Sequence, residues 1–204
     1  MGKNWISRKT TAIDQAASPL SRPLPFPKIT YLPSMQATFK MTDDSGFLAV
    51  LNADRYASFV DEDWSFQQLL EHLILQSNTQ NLIIWGTGLE NTWNVTFLDN
   101  PSPTPAFREF TQPIAVTDGR LYLTNYEDLT MAAQFKHHRL PATHNANAFI
   151  TLPNGMYALT IRQFGDPTDY NLNADSLRFE IVVRPATANH PSTEINGITW
   201  FELE

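Results

Sequence analysis

Cysteine is absent from this chain of 204 residues. Without a thiol there is no disulfide framework, no thiolate metal ligand and no cysteine nucleophile. Small secreted domains are commonly held together by disulfides, so this absence also argues against secretion. We expect a protein of a reducing compartment, the cytoplasm.

Long hydrophobic runs are missing as well. No stretch approaches the roughly 18 consecutive apolar residues of a membrane helix, and residues 1–10 lack the apolar centre of a signal peptide. The content of 42% hydrophobic and 12% aromatic residues is still enough for a substantial core. We therefore expect a globular protein with no membrane association.

The motifs of common enzyme classes are also absent. The chain has no Gly-x-Ser-x-Gly nucleophile elbow, no phosphate-binding loop and no glycine-rich dinucleotide fingerprint. We therefore expect a protein that is not an enzyme and that needs no cofactor.

Charge is unevenly distributed along the chain. Residues 1–40 hold six basic side chains and one acidic one, a net charge of +5, whereas residues 41–204 hold eight basic and twenty acidic ones, a net charge of −12. An acidic body repels nucleic acid and attracts basic protein surfaces. Because opposite charges occur on one chain, a homodimer is also possible.

Five prolines between residues 18 and 33 divide the chain into two parts. Proline removes backbone donors and favours extended conformations, so residues 1–40 are predicted to be a basic, proline-rich N-terminal arm. Residues 41–204 are predicted to be a single acidic, β-rich domain. The arm either wraps over that domain or is a flexible tail; its candidate anchors are Phe26, Ile29, Tyr31 and Leu32.

One segment has a clear helical pattern. An acidic and polar stretch, Asp61 to Ser65, supplies capping groups and negative charge before an apolar series with helical spacing. That spacing predicts a single apolar stripe that lies across a sheet. The series is Phe66, Leu69, Leu70, Leu73 and Ile74.

Most of the remaining chain has the pattern of strands. Trp93, Val95 and Phe97 alternate with polar residues, and Asp118-Gly119 is a strong hairpin signal. We expect about eight to ten strands joined mostly by short turns. The predicted fold is an antiparallel β-sandwich or open barrel with one amphipathic helix.

Two acidic groups are candidates for partner binding. Asp61, Glu62 and Asp63 form one cluster, and Trp64 beside them is a large aromatic anchor that we expect to be exposed. Glu127 and Asp128, expected in a loop, form the other.

Two alternatives come from other residue types. His137 or His138 would bind a metal in an enzyme if it converged with His144 and a carboxylate; the two adjacent histidines cannot readily share one ion, because neighbours on a strand point to opposite faces. A row of aromatic residues would form a carbohydrate- or small-ligand-binding face, because flat rings stack on apolar ligand faces. These residues are Trp85, Trp93, Tyr122, Tyr126 and Tyr157.

The order of features after Trp93 resembles a known family. Phe110 to Val116 precedes the Asp118-Gly119 turn, and Leu152-Pro153-Asn154-Gly155 then opens a further strand at Tyr157. This order is similar to that of the competence-associated inhibitors of the DNA-entry nuclease (competence protein J-like proteins) and of toxin-immunity β-sandwich proteins. The resemblance implies stoichiometric protein binding and no particular contact residue. The acidic body indicates that the partner is a basic protein, such as a nuclease or toxin.

Overall fold

A computed structural model describes residues 35–169, 177–186 and 194–201. The proline-rich segment and its candidate anchors lie outside these residues. The chain divides into two units between residues 32 and 33. Residues 36–40, which the sequence analysis placed in the N-terminal arm, belong to the first strand.

The described residues form nine strands, two α-helices and one turn of 3₁₀ helix. No helix among them is long and apolar enough to cross a bilayer. The strands are β1 Gln36–Asp43, β2 Phe47–Leu51, β3 Leu82–Gly86, β4 Asn91–Leu98, β5 Arg108–Val116, β6 Arg120–Asn125, β7 Phe149–Thr151, β8 Gly155–Phe164 and β9 Arg178–Pro185. The helices are α1 Phe66–Asn78 and α2 Tyr126–Gln134, and the 3₁₀ turn is Thr143–Asn145.

The strands form two sheets, which confirms the predicted sandwich. The first sheet has five strands in the order β1-β4-β9-β8-β5, and the second has four in the order β3-β2-β6-β7. All pairs are antiparallel except β4 with β9, which run parallel.

The core between the sheets follows from alternation along the strands. Trp93, Val95 and Phe97 of β4 point inward and are fully buried, as the sequence predicted. The second sheet is different because its outer face is also covered. In β2, Leu48 and Val50 face the other sheet, whereas Phe47, Ala49 and Leu51 face the helices. Burial on both faces explains why β2 is an uninterrupted apolar run.

Helix α1 begins where the sequence predicted. Ser65 is its N-cap, and its hydroxyl accepts a bond from the backbone N–H of Gln68 while the Gln68 side chain accepts one from the Ser65 N–H. Leu69 and Leu73 are fully buried beneath it. Phe66, also predicted for the buried stripe, is 42% exposed.

Only one helix was expected from the sequence, and α2 is a second one. Its N-cap is Asn125, whose side-chain oxygen accepts a bond from the Asp128 backbone N–H at 3.0 Å. Leu129, Ala132 and Ala133, spaced i, i+3 and i+4, are fully buried. The capping residue and the helical spacing of the apolar residues can both be seen in the sequence, but the segment is short and weakly hydrophobic.

The hairpin predicted at Asp118-Gly119 is not a hairpin. The turn joins β5 of the first sheet to β6 of the second, so the two strands do not pair. Gly119 has a φ of 82°, which explains the glycine. The signal correctly predicted a tight turn, but which strands pair is decided by the packing of the sheets.

The segment 194–201 covers the outer edge of β3. The Gly86 N–H donates to the Thr199 carbonyl at 2.9 Å, and the Asn78 side chain bonds both backbone groups of Ile195. A Cβ on Gly86 would lie 2.5 Å from the Trp200 carbonyl oxygen. Only glycine allows this close approach.

Candidate protein-binding surface

The acidic stretch Asp61–Asp63 lies in the loop before α1 and beside the end of α2. The Val60 and Asp61 N–H groups donate to the Ala133 carbonyl at 2.8 and 3.3 Å. The Gln134 side chain donates to the Glu62 carbonyl at 3.1 Å. These bonds fix the loop backbone and leave its three carboxylates exposed.

These carboxylates do not cap the helix. Ser65 performs that role, and the first turn of α1 contains no acidic residue. The side chain of Asp61 accepts a bond from the Asp63 N–H at 3.1 Å. The ion pairs of the described residues involve other groups, so none of these three carboxylates is in an ion pair there. Helix capping therefore does not explain it.

Large apolar side chains are exposed next to this loop. Phe135 directly follows α2 and is 48% exposed, and Met131, one turn earlier, is 44% exposed. Phe66 lies at the start of α1. Its ring packs edge-on against that of Phe201, with the ring centres 6.4 Å apart. We call this set the acidic–apolar surface: Asp61, Glu62, Asp63, Phe66, Met131 and Phe135.

Trp64 is less available than the sequence suggested. Its side chain is half-buried and packs against the core beneath the helices. Its indole N–H is buried and has no hydrogen-bond partner among the described residues. Trp64 therefore holds the acidic loop in place, and the exposed apolar groups nearby are Phe66, Met131 and Phe135.

Glu127 and Asp128 lie in the first turn of α2, not in a loop. Asp128 is 3% exposed, and its carboxylate accepts bonds from Asn145 at 2.7 Å and Thr124 at 3.3 Å and contacts the His144 imidazole at 3.2 Å. It joins α2 to the 3₁₀ turn. The Glu127 carboxylate oxygens are buried with no hydrogen-bond partner in the described part of the chain.

Burial and the neighbouring Glu127 charge, in that order, raise the pKa of Tyr126. The Tyr126 ring packs on Phe47 with ring centres 5.3 Å apart. Glu127 and Asp128 lie in the first turn of α2, whereas the acidic loop is bonded to Ala133 and Gln134 at the other end of that helix. The structure does not bring the two predicted acidic groups into one cluster.

The histidines do not converge on a metal-like arrangement. His144 contacts Asp128, whereas His137 is exposed in the turn after α2. The Nε2 of His138 is buried and has no hydrogen-bond partner among the residues that the structure describes. Among residues 35–169, 177–186 and 194–201, no three His, Asp or Glu side chains are grouped as a metal ion would need.

The aromatic residues proposed for a sugar-binding face occupy separate interiors. Trp85, Trp93 and Tyr157 lie in the core between the sheets, and Tyr122 lies in the core beneath the helices. The two tryptophans are fully buried. No single exposed face unites them.

A polar network occupies the outer face of the five-stranded sheet. Arg162 of β8 lies between Glu180 of β9 and Glu109 of β5, its cross-strand neighbours. Its guanidinium donates to Glu180 at 2.7 Å and to Glu109 at 3.1 Å, and it also donates to the Thr104 carbonyl at 2.8 Å. The loop 99–107 is thereby held over the sheet, beside a shallow depression of about 300 Å³. Sequence reasoning missed this network, because its members are far apart in the chain.

Comparison with known proteins gives structural neighbours only. No family model matches the chain, and no curated protein matches its sequence. Similar solved structures include "Crocagin biosynthetic gene J", with 12% identity and a TM-score of 0.49, and ComJ of Bacillus subtilis, described as the inhibitor of the DNA-degrading activity of NucA, with 15% identity and a TM-score of 0.46. Each of the two matches covers 76% of this chain and 100% of the neighbour's own chain. The resemblance to competence protein J-like proteins is confirmed as a distant likeness, the resemblance to toxin-immunity proteins stays a prediction, and no function or residue role is carried across either.

Proposed function

We propose that this protein is a non-enzymatic binding module that masks a basic protein, such as a nuclease or toxin, with its acidic–apolar surface. The observation that supports this proposal is the exposed Asp61–Asp63 stretch, which is neither a helix cap nor paired with a cation of the described residues. Unpaired carboxylates attract the Lys and Arg side chains with which a nuclease binds phosphates.

The apolar members of the surface would supply the affinity. Phe66, Met131 and Phe135 are each between 42% and 48% exposed. Aromatic side chains and methionine are enriched at protein interfaces, where a few such groups provide most of the binding energy. Charge would steer the partner to the surface, and burial of these side chains would hold it there.

Binding can be tested with a matched pair of triple variants. The tagged protein is used to capture partners from its native host in low salt, and the recovered protein is then titrated by calorimetry at two salt concentrations. We expect a basic partner in equal amount, whose affinity falls as salt rises. D61N/E62Q/D63N should weaken binding by at least about tenfold, since several charge pairs are lost together.

The control is D44N/E90Q/D118N, which removes the same charge from three other exposed loop positions. It should weaken binding by much less. Equal loss in both variants would show that net charge, not this surface, governs binding. A partner bound equally well by both variants and by the wild type would exclude the surface.

A further inference from the structure

The sandwich has four sheet edges, and three of them are protected. Thr199 covers β3, and β7 is only three residues long. On β5 the Ala115 N–H already donates to the Gln80 carbonyl at 2.9 Å, and Pro113 has no N–H to offer. Short strands, prolines and covering segments are the usual means of preventing edge-to-edge pairing.

The fourth edge, β1, is long, and over residues 36–40 it is open in the described part of the structure. The Thr42 carbonyl accepts a bond from the Asn125 side chain at 2.9 Å, so Thr42 directs its backbone away from β4. In an antiparallel pair, the backbone N–H and C=O groups of successive residues point alternately toward and away from the partner strand. The backbone groups of Gln36, Thr38 and Lys40 therefore also point away from β4. No hydrogen bond from the described residues reaches these groups on that side.

The side chains of β1 complement a second copy of themselves. Ala37 and Phe39 are half-buried against the core between the sheets, whereas Gln36, Thr38 and Lys40 are exposed on the outer face. In an antiparallel pair with Thr38 opposite Thr38, each Ala37 lies opposite a Phe39 of the other copy. Each Lys40 then lies opposite a Gln36. On the inner face a small side chain, Ala37, therefore lies opposite a large one, Phe39. On the outer face no two like charges lie opposite each other.

The two registers on the C-terminal side are less favourable. A pair centred on Phe39 places Gln36 opposite Thr42, whose carbonyl is already bonded to Asn125. A pair centred on Lys40 places two like charges directly opposite each other, which is destabilising. We therefore propose that two copies of this chain associate through β1 in antiparallel register, with Thr38 on the two-fold axis.

Cysteine cross-linking tests the register directly, because the natural chain has no cysteine. Residues directly opposite in a hydrogen-bonded antiparallel pair have Cα atoms about 5.5 Å apart, within the range of a disulfide. Thr38→Cys in the full chain should therefore form a covalent dimer with oxidised glutathione.

Thr111→Cys is the matched control. Thr111 lies on the opposite edge strand, is exposed on the same face, and pairs with Thr160 through its hydroxyl at 2.8 Å as Thr38 does with Thr96 at 3.0 Å. It should remain monomeric. Equal cross-linking of both variants, or of neither, would overturn the proposal.

Sedimentation equilibrium supplies an independent readout without cysteine. The wild type should associate reversibly, and Thr38→Lys should raise the dimer dissociation constant by at least about tenfold, because two like charges meet on the axis. Thr96→Lys loses the same hydroxyl contact one strand inward and should have a much smaller effect. A wild type that stays monomeric up to about 1 mM, or equal effects of the two variants, would contradict the proposed pairing.

Discussion

The outer faces of the two sheets are stabilised by different physical means. The four-stranded sheet turns Phe47, Ala49 and Leu51 outward and buries them beneath the two helices. The five-stranded sheet turns threonines and the Arg162 network outward and is covered at that network by the loop 99–107. Apolar burial is non-directional and tolerates gradual change, whereas a buried charge depends on every partner. The two faces should therefore respond differently to substitution.

The largest effect is expected on the polar face. Arg162→Met leaves Glu180, 6% exposed, as a buried carboxylate without its cation, and it removes the bond from the guanidinium to the Thr104 carbonyl in the loop 99–107. The loss in the free energy of unfolding should be about 3–5 kcal/mol, measured by urea denaturation.

Two variants sharpen this result. R162M/E180L removes both charges and should recover much of the loss, because an apolar pair needs no partner. Arg184→Met, on the exposed part of β9, should change stability by less than about 0.5 kcal/mol. A double variant as unstable as Arg162→Met would show that the loop contacts, not the charge balance, dominate.

On the apolar face, Leu73→Ala in α1 should cost about 2–4 kcal/mol. Leu73 is 1% exposed beneath the helix, so the substitution loses apolar burial and leaves a cavity. Leu75→Ala removes the same atoms from a side chain that is 57% exposed and should cost less than about 0.5 kcal/mol. If both variants lost similar free energy of unfolding, the helix would have to face the sheet differently.

A smaller effect distinguishes the cap from the acidic loop. Ser65→Ala removes the hydroxyl that accepts a bond from the Gln68 N–H and should cost about 1 kcal/mol. Asp63→Ala lies outside the helix and should change the free energy of unfolding by less than about 0.5 kcal/mol. A large loss in the free energy of unfolding from Asp63→Ala would show that these carboxylates stabilise the fold.

The smallest effect depends on pH. Burial lowers the pKa of His72 below its usual 6.5, partly opposed by a hydrogen bond with the Ala57 backbone. The unfolded chain therefore binds a proton more readily, and stability falls as pH drops below about 6.5 until the folded pKa is passed. The decrease in Tm between pH 7.5 and 5.5 should be smaller for His72→Gln than for the wild type, and unchanged for the exposed His137→Gln.

Local patterns predicted the elements of this fold better than their partners. Alternation located β4, β8 and β9, and the apolar run located β2, because burial acts on each strand separately. The Asp118-Gly119 turn predicted a reversal but not that it crosses between sheets. The parallel pairing of β4 with β9 depends on packing that no local pattern contains.

The candidate site was only partly predictable for the same reason. Asp61–Asp63 could be identified from the chain because the three residues are consecutive. Met131 and Phe135 join them only because Ala133 accepts bonds from Val60 and Asp61. From the sequence, Asp128 was interpreted as a carboxylate available to a partner. In the fold its carboxylate contacts the side chains of Thr124, Asn145 and His144.

Hydrogen–deuterium exchange of the protein with and without its captured partner tests directly which surface binds. Binding through the acidic–apolar surface predicts slower exchange in residues 59–67 and 130–136, with no change in the loop 99–107. Protection confined to 99–107 and the outer face of the five-stranded sheet would contradict the proposed function and place the partner on the opposite side of the sandwich.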